Sequence, residues 1–381
     1  MGSLFRRAAA AARPSRHHRA GVMLLALLLT VVLAACDLPG GIGGDAPEPD
    51  LPAEPEAPGD EVPGDEGDVS EESDPVSEES EPEAEEPGEE TPEPAPAPAP
   101  ADDGPVGFAS VEGGTTGGAG GETVSVSTAD EFAAAVGADG PAVVQVNGTI
   151  ETSGMTSVAS DKTIEGGTIS GGGLTMRGVS NIIIRNMTFT GADDDSINIE
   201  EGSTNIWIDH NDFSNGFDGL VDIKRGSDFI TVSWNHFHDH DKTALLGHSD
   251  DNASQDEGHL RVTYHHNWFE GTNQRQPRAR FGDPVHVFNN YYDNVGSYGV
   301  ASTNEAGVLV EGNYFEGVSS PTVIQTGSSP EGNIVERDNV YDGSGEPETR
   351  GTAEEPSNYY SYTLDDPASI PGIVSAGAGP Q

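Results

Sequence analysis

The stretches NIWIDHNDF (205–213) and FITVSWNHF (229–237) repeat one arrangement 24 residues apart. Each begins with apolar residues alternating with polar ones, the period of a half-buried strand. An Asn follows, and an aromatic closes the unit two residues later. Working outward, the same arrangement recurs in NIIIRNMTF, RVTYHHNWF, PVHVFNNYY, GVLVEGNYF and NIVERDNVY. The closing aromatics are Phe189, Phe213, Phe237, Phe269, Tyr292, Phe315 and Tyr341, spaced 24, 24, 32, 23, 23 and 26 residues apart. Self-similarity at 20–50 residues marks a solenoid or propeller, and about 24 is too short for a propeller blade. The L-x-x-L-x-L pattern of leucine-rich repeats is missing as well. A coil of three short strands fits, so the fold class expected is all-β, a single-stranded, right-handed parallel β-helix. Inward aromatics stack from coil to coil. Asn suits the bend because it tolerates left-handed backbone and bonds its own backbone. VVQVNGTIE and KTIEGGTIS read as earlier, more degenerate coils.

Upstream of the repeats the composition changes twice. Residues 1–35 read as a lipoprotein signal peptide: five arginines, then the apolar run GVMLLALLLTVVLAA, ending at the lipobox-like LAAC. Cys36, the chain's single cysteine, is then the lipid-bearing first residue of the mature chain, and no disulfide framework is available. Residues 36–105 hold about two dozen Asp and Glu, many prolines and no Lys or Arg. Such a segment cannot bury enough apolar surface to offset ordering, so a disordered acidic, Pro-rich linker is expected. Residues 106–381 form the β-helix domain. The whole chain has 17 Lys and Arg against 65 Asp and Glu, a net charge of −48, which excludes nucleic-acid binding by charge.

Against that background RQPRARFG (275–282) gathers three arginines in six positions. Function in a solenoid lies where outward positions carry chemistry the coil does not need. In FDGLVDIK, Val221 and Ile223 alternate with Asp222 and Lys224, and Asp218 shares the parity of Asp222. One coil earlier, ADDDSINI offers Asp193 and Asp195. Carboxylates stacked on adjacent coils about 4.8 Å apart repel unless neutralised, and hard oxygen ligands without sulfur suit Ca²⁺. Exposed acids of an acidic domain read the same way. In HDHDK (238–242), His238 and His240 share a strand parity that could hold zinc, although no third ligand accompanies them. Lys242 lies beside the polar excursion GHSDDNASQDEGH in the one long coil. Carboxylates next to cations make a bipolar groove for a polyanion.

The chain resembles the pectate lyases of polysaccharide lyase family 1. The resemblance covers roughly residues 106–370, through GFASVEGGTTGGAGG, IWIDHNDF, DGLVDIKRGSDFITVSWNHF, HDHDKTALLGHSD, RVTYHHNWF and RQPRARFGDPVHVFNNYY in order. It implies Ca²⁺-dependent β-elimination of α-1,4-polygalacturonate, leaving 4,5-unsaturated ends. Carried over by position, Asp218 and Asp222 hold Ca²⁺ with Asp195, and Asp193 is a further acid. Arg275 corresponds to the Brønsted base, while Lys242 and Arg280 grip substrate carboxylates; Arg278 receives no role. A guanidinium holds its proton to above about pH 12, and like charge from Lys242 and Arg280 would ease its loss. The rival readings are a calcium-free pectin lyase, a β-helix hydrolase using paired carboxylates, and a non-catalytic surface pectin-binding protein. The partner implied is polygalacturonate, met by a monomer outside the cytoplasm, secreted or membrane-attached only through a lipid on Cys36.

Overall fold

The computed structural model describes residues 104–381; the expected signal, Cys36 and linker lie outside them. Three sheets of ten, nine and eight strands run the length of the domain, and neighbouring strands within each sheet are parallel and one coil apart in sequence. This is a parallel β-helix. In a representative coil the ten-stranded sheet takes Thr204–Asp209, the nine-stranded sheet Asp212–Ser214 and the eight-stranded sheet Val221–Ile223. The degenerate coils are also present, as Ala142–Val146 with Thr149–Glu151 and Lys162–Glu165 with Thr168–Ser170.

The interior follows from the repeat. Phe189, Phe213, Phe237, Phe269, Tyr292 and Phe315 are fully buried. With Tyr341 they form one column of near-parallel rings, with centroids 5.2, 5.2, 5.1, 5.0, 4.3 and 5.3 Å apart. Offset stacking of this kind adds to the area each ring removes from water. The helix Ala129–Gly137 contributes Phe132 and Val136 to the same core. Its first turn is closed by Thr128, whose side chain accepts from the Glu131 amide, while Glu131 accepts from the Ser127 amide.

The corner asparagine behaves differently from the expectation. In most coils the left-handed residue is the one before it: His210, Trp234, His266, Asn289 and Asp338 have φ between 50° and 53°, while Asn186, which precedes Met187, is itself left-handed at φ 54°. The Asn itself turns inward. Asn211, Asn235, Asn267, Asn290 and Asn313 are fully buried and form a ladder ending at Asn339. Each donates its backbone N–H and Nδ2 to the Oδ1 of the next, at 2.9–3.1 Å. The second Nδ2 proton goes to a main-chain carbonyl of the coil before, as from Asn267 to Val232 at 2.9 Å. One side chain thus satisfies main-chain groups that a sharp corner would otherwise strand. Left-handed backbone costs a bulky residue about 1–2 kcal/mol. Outside the corner, Trp234 stacks between His210 and His266, which offsets part of that cost.

Asn267→Ala should lower stability by about 2–4 kcal/mol, because two donors of Asn235 lose their acceptor in a dry interior. Asn339→Ala, at the half-exposed end of the ladder, should cost markedly less. Thermal melts of the two variants check this; equal shifts would show that the ladder carries no special share of the stability.

Candidate active site

Outward residues of the eight-stranded sheet assemble the site. Its central strands are Ile197–Glu200, Val221–Ile223, Leu245–Leu246 and Arg278–Arg280. Register places Asn198 beside Asp222 and Leu245 beside Arg278. Val221 and Ile223 enter the core as their alternation requires. Asp222 points to the other side, yet it is only 3% exposed, and Lys224 is 4% exposed. The strand face is therefore roofed by loops and long side chains, and the two residues are outward without being open to solvent.

The carboxylates converge. Asp194, Asp195 and Asp218 each offer an oxygen within 4.8 Å of the others. A Cβ built on Gly219 would lie 2.6 Å from Asp222 Oδ1 and 2.8 Å from Asp195 Oδ1, so both oxygens border the space over that glycine. Asp195 Oδ1 is buried and has no hydrogen-bond partner in the structure. Burial pushes the Asp195 carboxyl well above the usual range, and neighbouring Asp222 adds to this while Lys224 opposes it. Burial raises Asp222 too, against the pull of Lys224 and Arg275. Lys224 Nζ sits between them, 3.6 Å from Asp195 Oδ2 and 3.9 Å from Asp222 Oδ2.

An all-oxygen donor set, an orphaned buried oxygen and a side-chain-free floor at Gly219 fit a hard divalent cation such as Ca²⁺. Asp193 is placed elsewhere: its carboxylate accepts from the Gly154 amide at 2.9 and 3.1 Å. Its neighbour Asp194 takes part in the cluster instead. Asp193 is carried over from family position, and it lies ahead of the strand, which begins at Ile197. Lys224 shares the parity of Asp222 and was legible as outward, but the carboxylates drew the attention. Phe217, beside Asp218, is 82% exposed and presents an apolar ring at the edge of the site, a feature that no motif announced.

The cations line the same face one and two coils on. Lys242 bridges to Gln274, next to Arg275, and its ammonium lies 3.1 Å from Asp218 Oδ1. Arg275, 5% exposed, adopts φ 68° just before the cis Gln276–Pro277 bond. Tyr292 Oη donates to the Gln276 carbonyl at 2.9 Å and pins this bend from the core. Arg280 is fixed by Asp250 (Nε to Oδ1, 2.8 Å) and by the Gly247 carbonyl (2.8 Å from Nη1). Asp250 belongs to the inserted excursion, so the extra length of the 32-residue repeat serves to hold a cation. Arg278 donates to Ser329 Oγ at 2.9 Å, and Ser329 donates to Asp250 in turn. Lys242 faces Asp218 at 3.1 Å and Arg280 faces Asp250 at 2.8 Å, so each of these two cations is itself paired with an acid.

His238 and His240 do not meet at one site. The strand His236–His238 ends there, Asp239 turns the chain at φ 48°, and His240 Nε2 lies 3.2 Å from the Asp218 carbonyl. His238 joins His236 and Asp212 on the nine-stranded sheet.

The pectate lyase family model matches residues 96–369. Pectate lyase plyB of Emericella nidulans is 38% identical over 289 residues, covering 72% of this chain and 88% of that one. A pectate trisaccharide-lyase of Thermotoga sp. is 44% identical over 334 residues, covering 74% and 90%. Among solved structures, a Bacillus pectate lyase in complex with trigalacturonate superposes with a TM-score of 0.66 at 32% identity, covering 72% of this chain and 98% of that one. Pectate lyase II of Xanthomonas campestris gives 0.64 at 28% identity, covering 73% and 98%. With its β-helix, its stacked carboxylates and these relatives, the chain belongs to the pectate lyase family.

Proposed function

We propose that the chain cleaves polygalacturonate by β-elimination, with Ca²⁺ held by Asp195, Asp218 and Asp222. Asp194 is better placed than Asp193 to be the further acid. The observation that carries this reading is the convergence of Asp195 Oδ1 and Asp222 Oδ1 over Gly219, one coil from the Lys242–Arg275 edge. Bound there, Ca²⁺ would supply charge that draws a uronate carboxylate, acidifies the proton at C5 and relieves Asp222 of neutralising Arg275.

The chain's own groups do the rest. Arg275 is the base that takes the C5 proton; its left-handed backbone, held by Tyr292, fits a group placed for chemistry rather than for packing. Lys242 binds a substrate carboxylate once it leaves Asp218, and Arg280, preorganised by Asp250, presents charge to the same polyanion. The electrons of the broken C5–H bond form the C4–C5 double bond, the glycosidic oxygen leaves from C4 with that bond's electron pair and takes up a proton, and the base gives up the C5 proton before the next turnover. No water enters the bond that breaks, which separates this reading from hydrolysis. An extracytoplasmic location with lipid attachment at Cys36 belongs to the same proposal. Among the described residues no helix is long and apolar enough to cross a membrane.

Absorbance of unsaturated product from polygalacturonate should vanish on exhaustive chelation and return with added Ca²⁺. Full activity without Ca²⁺ would support a pectin lyase, and cleavage without unsaturated ends a hydrolase. Arg275→Lys should lower kcat by about 10²–10⁴ while KM changes by a few-fold, since proton abstraction belongs to the transition state. A fall in affinity with kcat preserved would reduce Arg275 to an anion clamp. Gly219→Ala, which puts a methyl group between the two carboxylates, should raise the Ca²⁺ concentration for half-maximal activity by at least about tenfold, or about 1.4 kcal/mol. An unchanged calcium requirement would move the site away from Gly219. Cys36→Ser should shift the protein from the membrane to the soluble fraction at unchanged specific activity; retention in the membrane would exclude a lipid on Cys36.

A further inference from the structure

A second constellation lies on a different sheet from the candidate active site. Asp212, His236 and His238 project from the outer face of the nine-stranded sheet, Asp212 in register with His236 on the next coil. His236 and His238 are two residues apart on one strand and so share its outward face. Phe237 between them enters the core. His236 Nδ1 lies 3.1 Å from Asp212 Oδ2, and His238 Nε2 lies 3.2 Å from the same oxygen and 3.4 Å from Oδ1. The three side chains are 18–25% exposed, shielded yet reachable from solvent.

The other nitrogen of each ring is also held by a carboxylate. His236 Nε2 is 2.9 Å from Glu270 Oε2, and His238 Nδ1 is 2.8 Å from Asp239 Oδ2. One ligand atom from each of Asp212, His236 and His238 lies within 4.8 Å of the others, and the two rings stack with centroids 4.5 Å apart at 23°. A cation among the three would take one lone pair from each ring and a carboxylate oxygen, leaving the far N–H of each ring for its peripheral acid. Histidines oriented by carboxylates on their far nitrogens are also the usual supporting arrangement of metal sites.

We propose that Asp212, His236 and His238 bind a divalent transition metal of the zinc class, with solvent completing the coordination. Two imidazoles and one carboxylate suit Zn²⁺ and its neighbours rather than Ca²⁺, which prefers six to eight oxygens. The site fastens the Asp212 coil to the His236 coil, and through Glu270 it reaches a third. It is a structural staple on one sheet while the pectate chemistry occupies another, and it stands whether or not the catalytic reading holds.

Calorimetric titration of the full chain with ZnCl₂, in excess Ca²⁺, should show one saturable site and a melting temperature raised by several degrees. Co²⁺ should give the visible absorption of a four-coordinate ion. His238→Gln should weaken Zn²⁺ binding by at least about 100-fold, and Glu270→Gln by about 10-fold. His238→Gln should leave Ca²⁺-dependent product formation unchanged. Asp212→Asn gives a second ligand variant should His238→Gln fold poorly. Absence of saturable Zn²⁺ binding by the unmodified chain, or binding that survives both ligand substitutions, overturns the proposal.

Discussion

The buried asparagine ladder sets the register of the coils from Met187 to Asn339 against one another, and the site inherits its geometry from that register. Each rung joins the main chain of one coil, an amide of the following coil and a carbonyl of the preceding one. A slip of one residue would turn every side chain to the opposite face of its strand. Asp222 would then enter the core and Val221 would meet solvent. The aromatic column alone does not prevent this, because apolar packing is non-directional. Hydrogen bonds between buried amides are directional, and they tolerate one register.

Much of this was legible in the residues. Phe189 through Tyr341 announced the coil period and the interior column because large apolar groups at a fixed spacing have one economical use. The corner was misread by one position. Left-handed propensity belongs to the lone residue, whereas the ladder depends on partners one coil away that local propensity does not contain. Trp234 is a poor left-handed residue by itself; it occupies that position because Asn235 after it is held from both sides.

The site divides along the same line. Asp218 and Asp222 could be placed from parity, and Asp195 from family resemblance, and the structure draws their carboxylates toward one another. Asp193, Asp194, His238 and His240 lie where strands end, and there a single left-handed residue or a loop cancels parity. Lys224 and the pairing of each cation with an acid depend on which loop covers the face, a three-dimensional fact without a spacing. The concentration of arginines at 275–280 is best understood in that light. In this acidic domain the cations at the groove are held by neighbouring acids, Lys242 by Asp218 and Arg280 by Asp250. Under the proposed function, substrate carboxylates would exchange with protein carboxylates instead of meeting bare charge.

The central claim is spatial: carboxylates of two consecutive coils and cations of the next two coils face one polyanion. Long-wavelength anomalous diffraction from Arg275→Lys crystals soaked with Ca²⁺ and an oligogalacturonate tests it most directly. The account predicts a calcium peak over Gly219, bounded by Asp195, Asp218 and Asp222, with uronate carboxylates directed toward Lys242 and Arg280. A peak elsewhere, or a saccharide bound on another sheet with Gly219 vacant, would contradict it.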